Sequence, residues 1–140
     1  MNYLLSLEIS ASGLYVQRRR MDVIASNLAN IETTHTKEGG PYRRRMVVIS
    51  ARPVKGFQEI LALQAEGAGV DEIVEDESPF IKVFNPGHPD ADEDGYLRKP
   101  NVDLIVETAN MLMARRAFEA NVAAIKAAKQ MALKALEIGK

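Results

Sequence analysis

Apolar side chains at Leu4, Leu7, Ala11, Leu14, Met21, Ala25 and Leu28 advance in alternating steps of three and four, with Arg18 the one charged residue in the row. That spacing predicts a helix with a coiled-coil seam, interrupted near its middle by Arg18 and the adjoining Arg19 and Arg20. Asn30 and the Thr33-Thr34 pair are poor helix formers and mark its end. A second row runs through Val106, Ala109, Met113, Ala117, Ala120, Ala124, Ala127, Met131 and Ile138, widened by Phe118, Val122 and Ile125. It predicts a helix that starts after Pro100, with Asn101 or Asp103 as its N-cap, and runs nearly to Gly139. Its many alanines favour helix intrinsically and let another helix approach closely.

Between the two rows the punctuation changes. Residues 32–100 hold all six Pro and seven of the nine Gly, which divides the chain into an N-terminal helix (1–31), a middle segment (32–100) and a C-terminal helix (101–140). Runs rich in β-branched and aromatic residues at 42–50, 70–74 and 80–84, with a shorter one at Tyr96-Leu97, predict a small β unit. Residues 57–64 fit a helical turn as well as a strand, and 85–100 read mostly as loop. The fold class expected is α+β: long terminal helices around a small β-rich middle domain.

Length decides how the helices are used. A compact globule of 140 residues has a radius of gyration of roughly 14 Å and spans about 40 Å. A C-terminal helix of about 36 residues would be ~54 Å long and the N-terminal one ~40 Å. The helices overhang such a body, and pairing them with each other covers one face of each. The expectation is an intermolecular coiled-coil bundle in which neighbouring subunits supply the missing helices, with Leu4, Leu7, Ala11, Leu14, Met21, Ala25, Leu28, Met113, Ala117, Ala120, Ala124, Ala127 and Met131 as contact residues.

Composition narrows the chemistry. With no Cys there are no disulfides, thiolate metal sites or cysteine nucleophiles, and with no Trp and eight Phe plus Tyr the core rests on aliphatic residues. The net charge is −1, distributed as +1, −4 and +2 over the three parts, so nothing draws the whole chain to nucleic acid or anionic lipid. The first eight residues lack a basic stretch before an apolar one, and no 18 uncharged apolar residues run together, so neither a cleavable secretory signal nor a spanning helix is expected.

Three features invite a chemical reading. Asp90-Ala91-Asp92-Glu93-Asp94-Gly95 satisfies the first half of a calcium loop, but the twelfth position is Asn101 where a bidentate Glu is needed; the plain alternative is a solvated acidic turn with Gly95 at positive φ. His35 and His88 are the only histidines; a metal site of His88, Asp90 and Asp92 competes with a loop histidine that hydrogen-bonds locally. The triplets Arg18-Arg19-Arg20 and Arg43-Arg44-Arg45 could clamp phosphate, yet solvated faces or pairing with acids of another subunit explain them more simply. In a strand Arg43 and Arg45 share one face and Arg44 takes the other. No nucleophile elbow or dinucleotide fingerprint is present, so no enzyme, metal or cofactor is expected.

The ordered motifs are more specific. Ser12-Gly13-Leu14, the stretch from Arg20 to Asn30 that includes Asn27 and Leu28, and Thr33-Thr34 resemble the N-terminal signature of flagellar rod and hook proteins. Gly39-Gly40-Pro41-Tyr42, Ser78-Pro79-Phe80, Asn85-Pro86 with His88-Pro89-Asp90-Ala91, Gly95-Tyr96, Pro100-Asn101-Val102, Glu119-Ala120-Asn121-Val122 and the ending from Ala135 to Lys140 look like the proximal rod members of that family. The resemblance spans residues 10–140; Phe118, where the family more often has Tyr, is a minor departure. It implies a non-catalytic, cofactor-free subunit of the periplasm-crossing rod that transmits torque from motor to hook. It further implies export through the flagellar type III apparatus without a Sec signal, and assembly with copies of itself and with FlgB, FlgF and FliE. In this family the terminal helices order on assembly. Asn27, Asn30 and Asn121 would fix register by buried hydrogen bonds, or else cap helices or face solvent. Two readings stand beside this one: a helical adaptor outside the flagellum, and a metal-binding enzyme built on the His88 loop.

Overall fold

The computed structural model describes residues 3–53 and 66–138. Helix α1 (Tyr3–Ala29) is followed by strands β1 (Arg45–Pro53), β2 (Glu66–Glu75), β3 (Ile81–Phe84) and β4 (Tyr96–Lys99), and then by helix α2 (Leu104–Ile138). The expected α+β architecture is what the chain adopts. Residues 57–64, read two ways above, lie outside the described residues.

The strands form two separate antiparallel pairs, β1 with β2 and β3 with β4, where the sequence suggested one unit. In the first pair Val48 faces Glu72 and Ile49 faces Val70, which leaves Asp71 as a bulge. The first strand begins at Arg45 and not at Tyr42, because the preceding residues bond elsewhere: the Tyr42 amide to the Thr33 carbonyl and the Arg44 amide to Asn101 Oδ1. In the second pair Phe84 and Tyr96 stand edge to face with ring centroids 5.4 Å apart. The turn that follows β3 needs Gly95, whose φ of 79° belongs to the left-handed region and whose missing Cβ makes room for Phe84 and Pro86.

Local chemistry sets the helix ends. Asp103 is the N-cap of α2, its Oδ1 accepting from the amides of Ile105 and Val106 at 2.8 and 3.0 Å. Asn101, the other candidate, instead donates to the carbonyls of Asp76 and Ser78. At the end of α1, Asn30 donates to the Ser26 carbonyl and accepts from the Thr33 hydroxyl, so it closes the last turn rather than joining two helices.

The helices run antiparallel, Asn27 lying beside Glu107 at one end and Gly13 beside Asn121 further along. Strand β2 reaches α1 at Ser12, whose hydroxyl accepts from the Ala68 amide at 3.0 Å. The core is thus strongest where the C-terminal half of α1, the start of β1 and the first turns of α2 come together: Val16, Val23, Ile24, Tyr42, Val102 and Ala114 are buried, and Leu97 of β4 is buried as well. Residues 3–15 of α1 contribute no fully buried side chain, and toward its C-terminal half α2 contributes Ala128.

Candidate assembly interface

Each helix carries more than one apolar row. The row of α2 that packs on α1 runs through Met111, Ala114, Phe118, Ile125, Ala128 and Ala132, with Glu107 and Asn121 in register, all of them buried or half-buried. It is displaced by one residue from the predicted row. On α1 the covered positions include Ile9, Gly13, Val16, Val23, Ile24 and Asn27. The predicted seam residues therefore lie off the intramolecular contact. Leu4, Ala11 and Ala25 on α1 are exposed and Leu7, Leu14, Met21 and Leu28 half-exposed; on α2, Met113, Ala120, Ala124, Ala127 and Met131 are exposed and Ala117 half-exposed. Leu4 is 69% exposed and Met113 55%, values that leave most of two large apolar side chains in water.

The rotation of a helix, about 100° per residue, locates these rows. On α1, Ser12 faces β2, Gly13 faces α2, and Leu14, the next residue round, lies on the side that neither covers. On α2, Ala114 is fully buried and Met113, one residue back, is open. One row lies ahead of the contact and the other behind it. In an antiparallel pair this puts the two open rows on opposite sides, with the β1–β2 hairpin on the same side as the α2 row.

A polar clamp holds the helices in register. Asn27, 1% exposed, donates from Nδ2 to the Arg45 carbonyl at 2.8 Å and to Glu107 Oε2 at 3.0 Å; its Oδ1 accepts from the Tyr42 hydroxyl and the Arg45 amide, both at 2.9 Å. All four bonds of the amide are made, which fixes its orientation and joins α1, β1 and α2. Glu107, fully buried, accepts at Oε1 from Arg44 Nε and Nη2 at 2.9 and 2.8 Å. Arg44 Nη1 reaches Asp76 Oδ2 at 3.2 Å. Burial works against the Arg44 charge, but the bonds and charge of Glu107, then those of Asp76, outweigh it and hold the guanidinium above its ordinary value. Asp76 is held below the usual carboxylate value, mainly by the Ser78 hydroxyl and amide, with Arg44 adding to the effect.

Sequence reasoning left Asn27 open between a buried register bond, a cap and solvent, read Asn101 as a candidate N-cap and Arg44 as one of a triplet, and did not single out Glu107 or Asp76. Arg44 corrects the reading of its triplet: it makes an intrachain pair with buried Glu107 and not a solvated or intersubunit one, and since β1 begins only at Arg45 the strand alternation expected for the triplet does not apply to it. Arg43 stacks 4.5 Å over Phe80, and Arg45 lies 5.7 Å from the Tyr42 ring centroid and pairs with exposed Glu75. Nothing about a first-turn acid distinguishes Glu107 in the sequence, since such acids commonly serve the helix dipole.

The remaining motif residues make turns and local bonds. Gly39, Gly40 and Pro41 turn the chain into Tyr42, with Gly40 accepting from the Thr36 amide. His88 accepts at Nδ1 from the Asp90 amide at 3.1 Å, and Asp90 accepts from the Thr34 hydroxyl at 2.7 Å, which ties the loop containing exposed Pro89 to the end of α1; this is the local hydrogen-bonding histidine of the plain reading. Glu119 is exposed and pairs with Arg115 one turn earlier. Asn121 donates to the Ala117 carbonyl and packs on Gly13.

Residues 7–35 match the family model described as flagella basal body rod protein, and residues 93–138 match the one described as flagellar basal body rod FlgEFG protein C-terminal. The chain is 47% identical to the flagellar basal-body rod protein FlgC of Bacillus subtilis, over 96% of this chain and 97% of that one. It is 36% identical to FlgC of Borreliella burgdorferi over 95% of each chain, and 37% identical to FlgC of Salmonella typhimurium over 94% of each. Whole-length similarity at these levels places the chain in the FlgC family of flagellar basal-body rod proteins.

Proposed function

We propose that this structural subunit of the flagellar basal-body rod joins the shaft through its terminal helices, which complete their folding as they dock on neighbours, and that the assembled tube carries motor torque toward the hook. The observation behind this reading is the pair of open apolar rows. Ordering roughly 30 residues costs about 1 to 2 kcal/mol each, and the outer halves of the helices bury too little within one chain to offset it. Burial between subunits at about 25 cal/mol per Å² supplies the difference.

On this reading residues 1–31 and 101–140 form the inner bundle, and residues 32–100 form an outer domain. The contacts are made by Leu4, Leu7, Ala11, Leu14, Met21, Ala25 and Leu28 on one side and by Met113, Ala117, Ala120, Ala124, Ala127 and Met131 on the other. Partners are copies of this chain and other rod proteins, FlgB, FlgF and FliE among them. The subunit is exported by the flagellar type III apparatus, crosses the periplasm as part of the rod and performs no catalysis. The similarity to rod proteins lends no support to an adaptor outside the flagellum or to a metal-binding enzyme.

Hydrogen exchange on the full chain, alone and after addition of rod partners, tests this. The outermost segments 3–8 and 129–138 should exchange freely in the lone chain and become protected with partners, while residues around Asn27 and Glu107 stay protected throughout. Strong protection of both outer segments in the lone chain would contradict coupled folding.

A further inference from the structure

The open row of α1 contains one charge, and it points to what covers that face. Arg18 is exposed between Leu14 and Met21 and makes no ion pair among the described residues, whereas Arg19 reaches Asp22 and Arg20 reaches Gln17. A guanidinium enclosed by an apolar contact needs a carboxylate, because an unpaired charge is costly to bury. Strand β2 offers acids on the opposite side of the molecule: Asp71 is engaged by Ser50 and Arg52 and Glu75 by Arg45, whereas Glu66 and Glu72 are exposed with no such partner among the described residues, and Glu72 lies nearer the level of Arg18.

We propose that neighbouring copies of this chain join heterologously, the open α1 face of one seating on the face of the next formed by the α2 row and the β1–β2 hairpin, with Arg18 paired to Glu72 of the neighbour. This rests on the rod-subunit reading given above and specifies its surface. Three observations converge on it. The open rows lie on opposite sides of the helix pair, so each copy has two different faces; such contacts repeat head to tail and do not close into a two-fold dimer. Arg18 and Glu72, one on each face and unpaired among the described residues, are of opposite charge. The heights also agree: Arg18 lies nine residues from Asn27, about 14 Å along the helix, and Glu72 lies three residues from Glu75, about 10 Å along its strand. Asn27 and Glu75 share one level, since both flank Arg45. Two copies side by side, shifted by only a few ångströms, bring the pair together.

The cysteine-free sequence allows a direct test. A full chain carrying both Arg18→Cys and Glu72→Cys, purified in basal bodies and mildly oxidised, should give a ladder of disulfide-linked multimers, and each single variant should give none. A dimer from Arg18→Cys alone would indicate a two-fold contact and overturn the proposal, as would a basal body that contains the double variant without a ladder. Charge reversal provides a second measurement: Arg18→Glu should reduce incorporation by about tenfold or more, and Glu72→Arg in the same chain should restore it. Absence of rescue overturns the pairing. If the unaltered chain is missing from basal bodies, the rod reading itself fails, which is a separate and recognisable outcome.

Discussion

Gly13 of α1 and Asn121 of α2 meet where the two helices approach: a Cβ on Gly13 would stand 2.9 Å from both amide atoms of Asn121. The Asn121 side chain has little freedom to withdraw, because its Nδ2 donates to the Ala117 carbonyl at 3.0 Å. Replacing a mid-helix Gly by Ala favours an isolated helix by about 1 kcal/mol, whereas overpacking a close contact costs about 1 to 3 kcal/mol. Gly13→Ala should therefore destabilise the chain by about 1 kcal/mol net, read as a lower urea midpoint. With Asn121→Ala in the same chain the steric term disappears, and the added Ala should then stabilise.

Asn27 makes its four bonds to three different elements. Asn27→Ala strands the Arg45 amide and the Tyr42 hydroxyl and takes one donor from Glu107, and an unsatisfied buried group costs about 1 to 3 kcal/mol. A loss of about 3 kcal/mol in chemical denaturation is expected. Ser26→Ala, one residue away, removes only a 3.4 Å contact with Tyr42 and should change little.

The Glu107 and Arg44 pair should behave as one unit. Glu107→Ala leaves a half-buried guanidinium with Asp76 as its remaining anion, a loss of about 3 kcal/mol. Arg44→Ala should cost a similar amount. The double variant should lose less than the sum, with a coupling of about 1 kcal/mol or more in a double-mutant cycle.

Acid should weaken the fold in a defined window. Asp76 is held below its ordinary value of 3.8 by the Ser78 hydroxyl and amide and by Arg44, and Asp71 is lowered by the Ser50 hydroxyl and Arg52. A carboxylate with a depressed folded-state pKa contributes stability that is fully present above its ordinary value and is lost as pH falls through the lowered one. Stability measured by urea titration should thus decline below about pH 4. Ser78→Ala should lessen that decline, and because Asp76 keeps its pair with Arg44 the change should be small.

Substitution of the open rows should separate folding from assembly. Ala11→Glu or Ala124→Glu puts a charge where the lone chain has solvent, and should shift the urea midpoint by less than the equivalent of about 0.5 kcal/mol. The same changes should abolish incorporation into basal bodies and motility in soft agar. Ala114→Glu, on the covered face, should instead unfold the chain.

Much of this was legible in one dimension. The 3,4 spacing, the change of punctuation at residues 32 and 100 and the β-branched runs depend on local propensity and period, so helices, strands and loop fell where expected within a few residues. The ordered motifs carried the family. Which of the apolar rows a helix keeps for its own partner was not legible, since α1 and α2 are apolar around much of their circumference and period alone gives the spacing of a row without its direction. The seam read from Leu4 to Leu28 faces outward, and the covered row lies elsewhere on the helix.

The clamp was hidden for a different reason. Glu107 and Arg44 are 63 residues apart, and Asn27 and Glu107 are 80 apart. A first-turn Glu, a middle Arg of a triplet and a helical Asn each have an ordinary local explanation. The chain's amphipathic periods determined that it would have two long helices with surface to spare. Only the antiparallel pairing decided which faces are left over, because the direction of one helix relative to its neighbour, set by Gly13 against Asn121 and Asn27 against Glu107, exists only once distant segments are in contact.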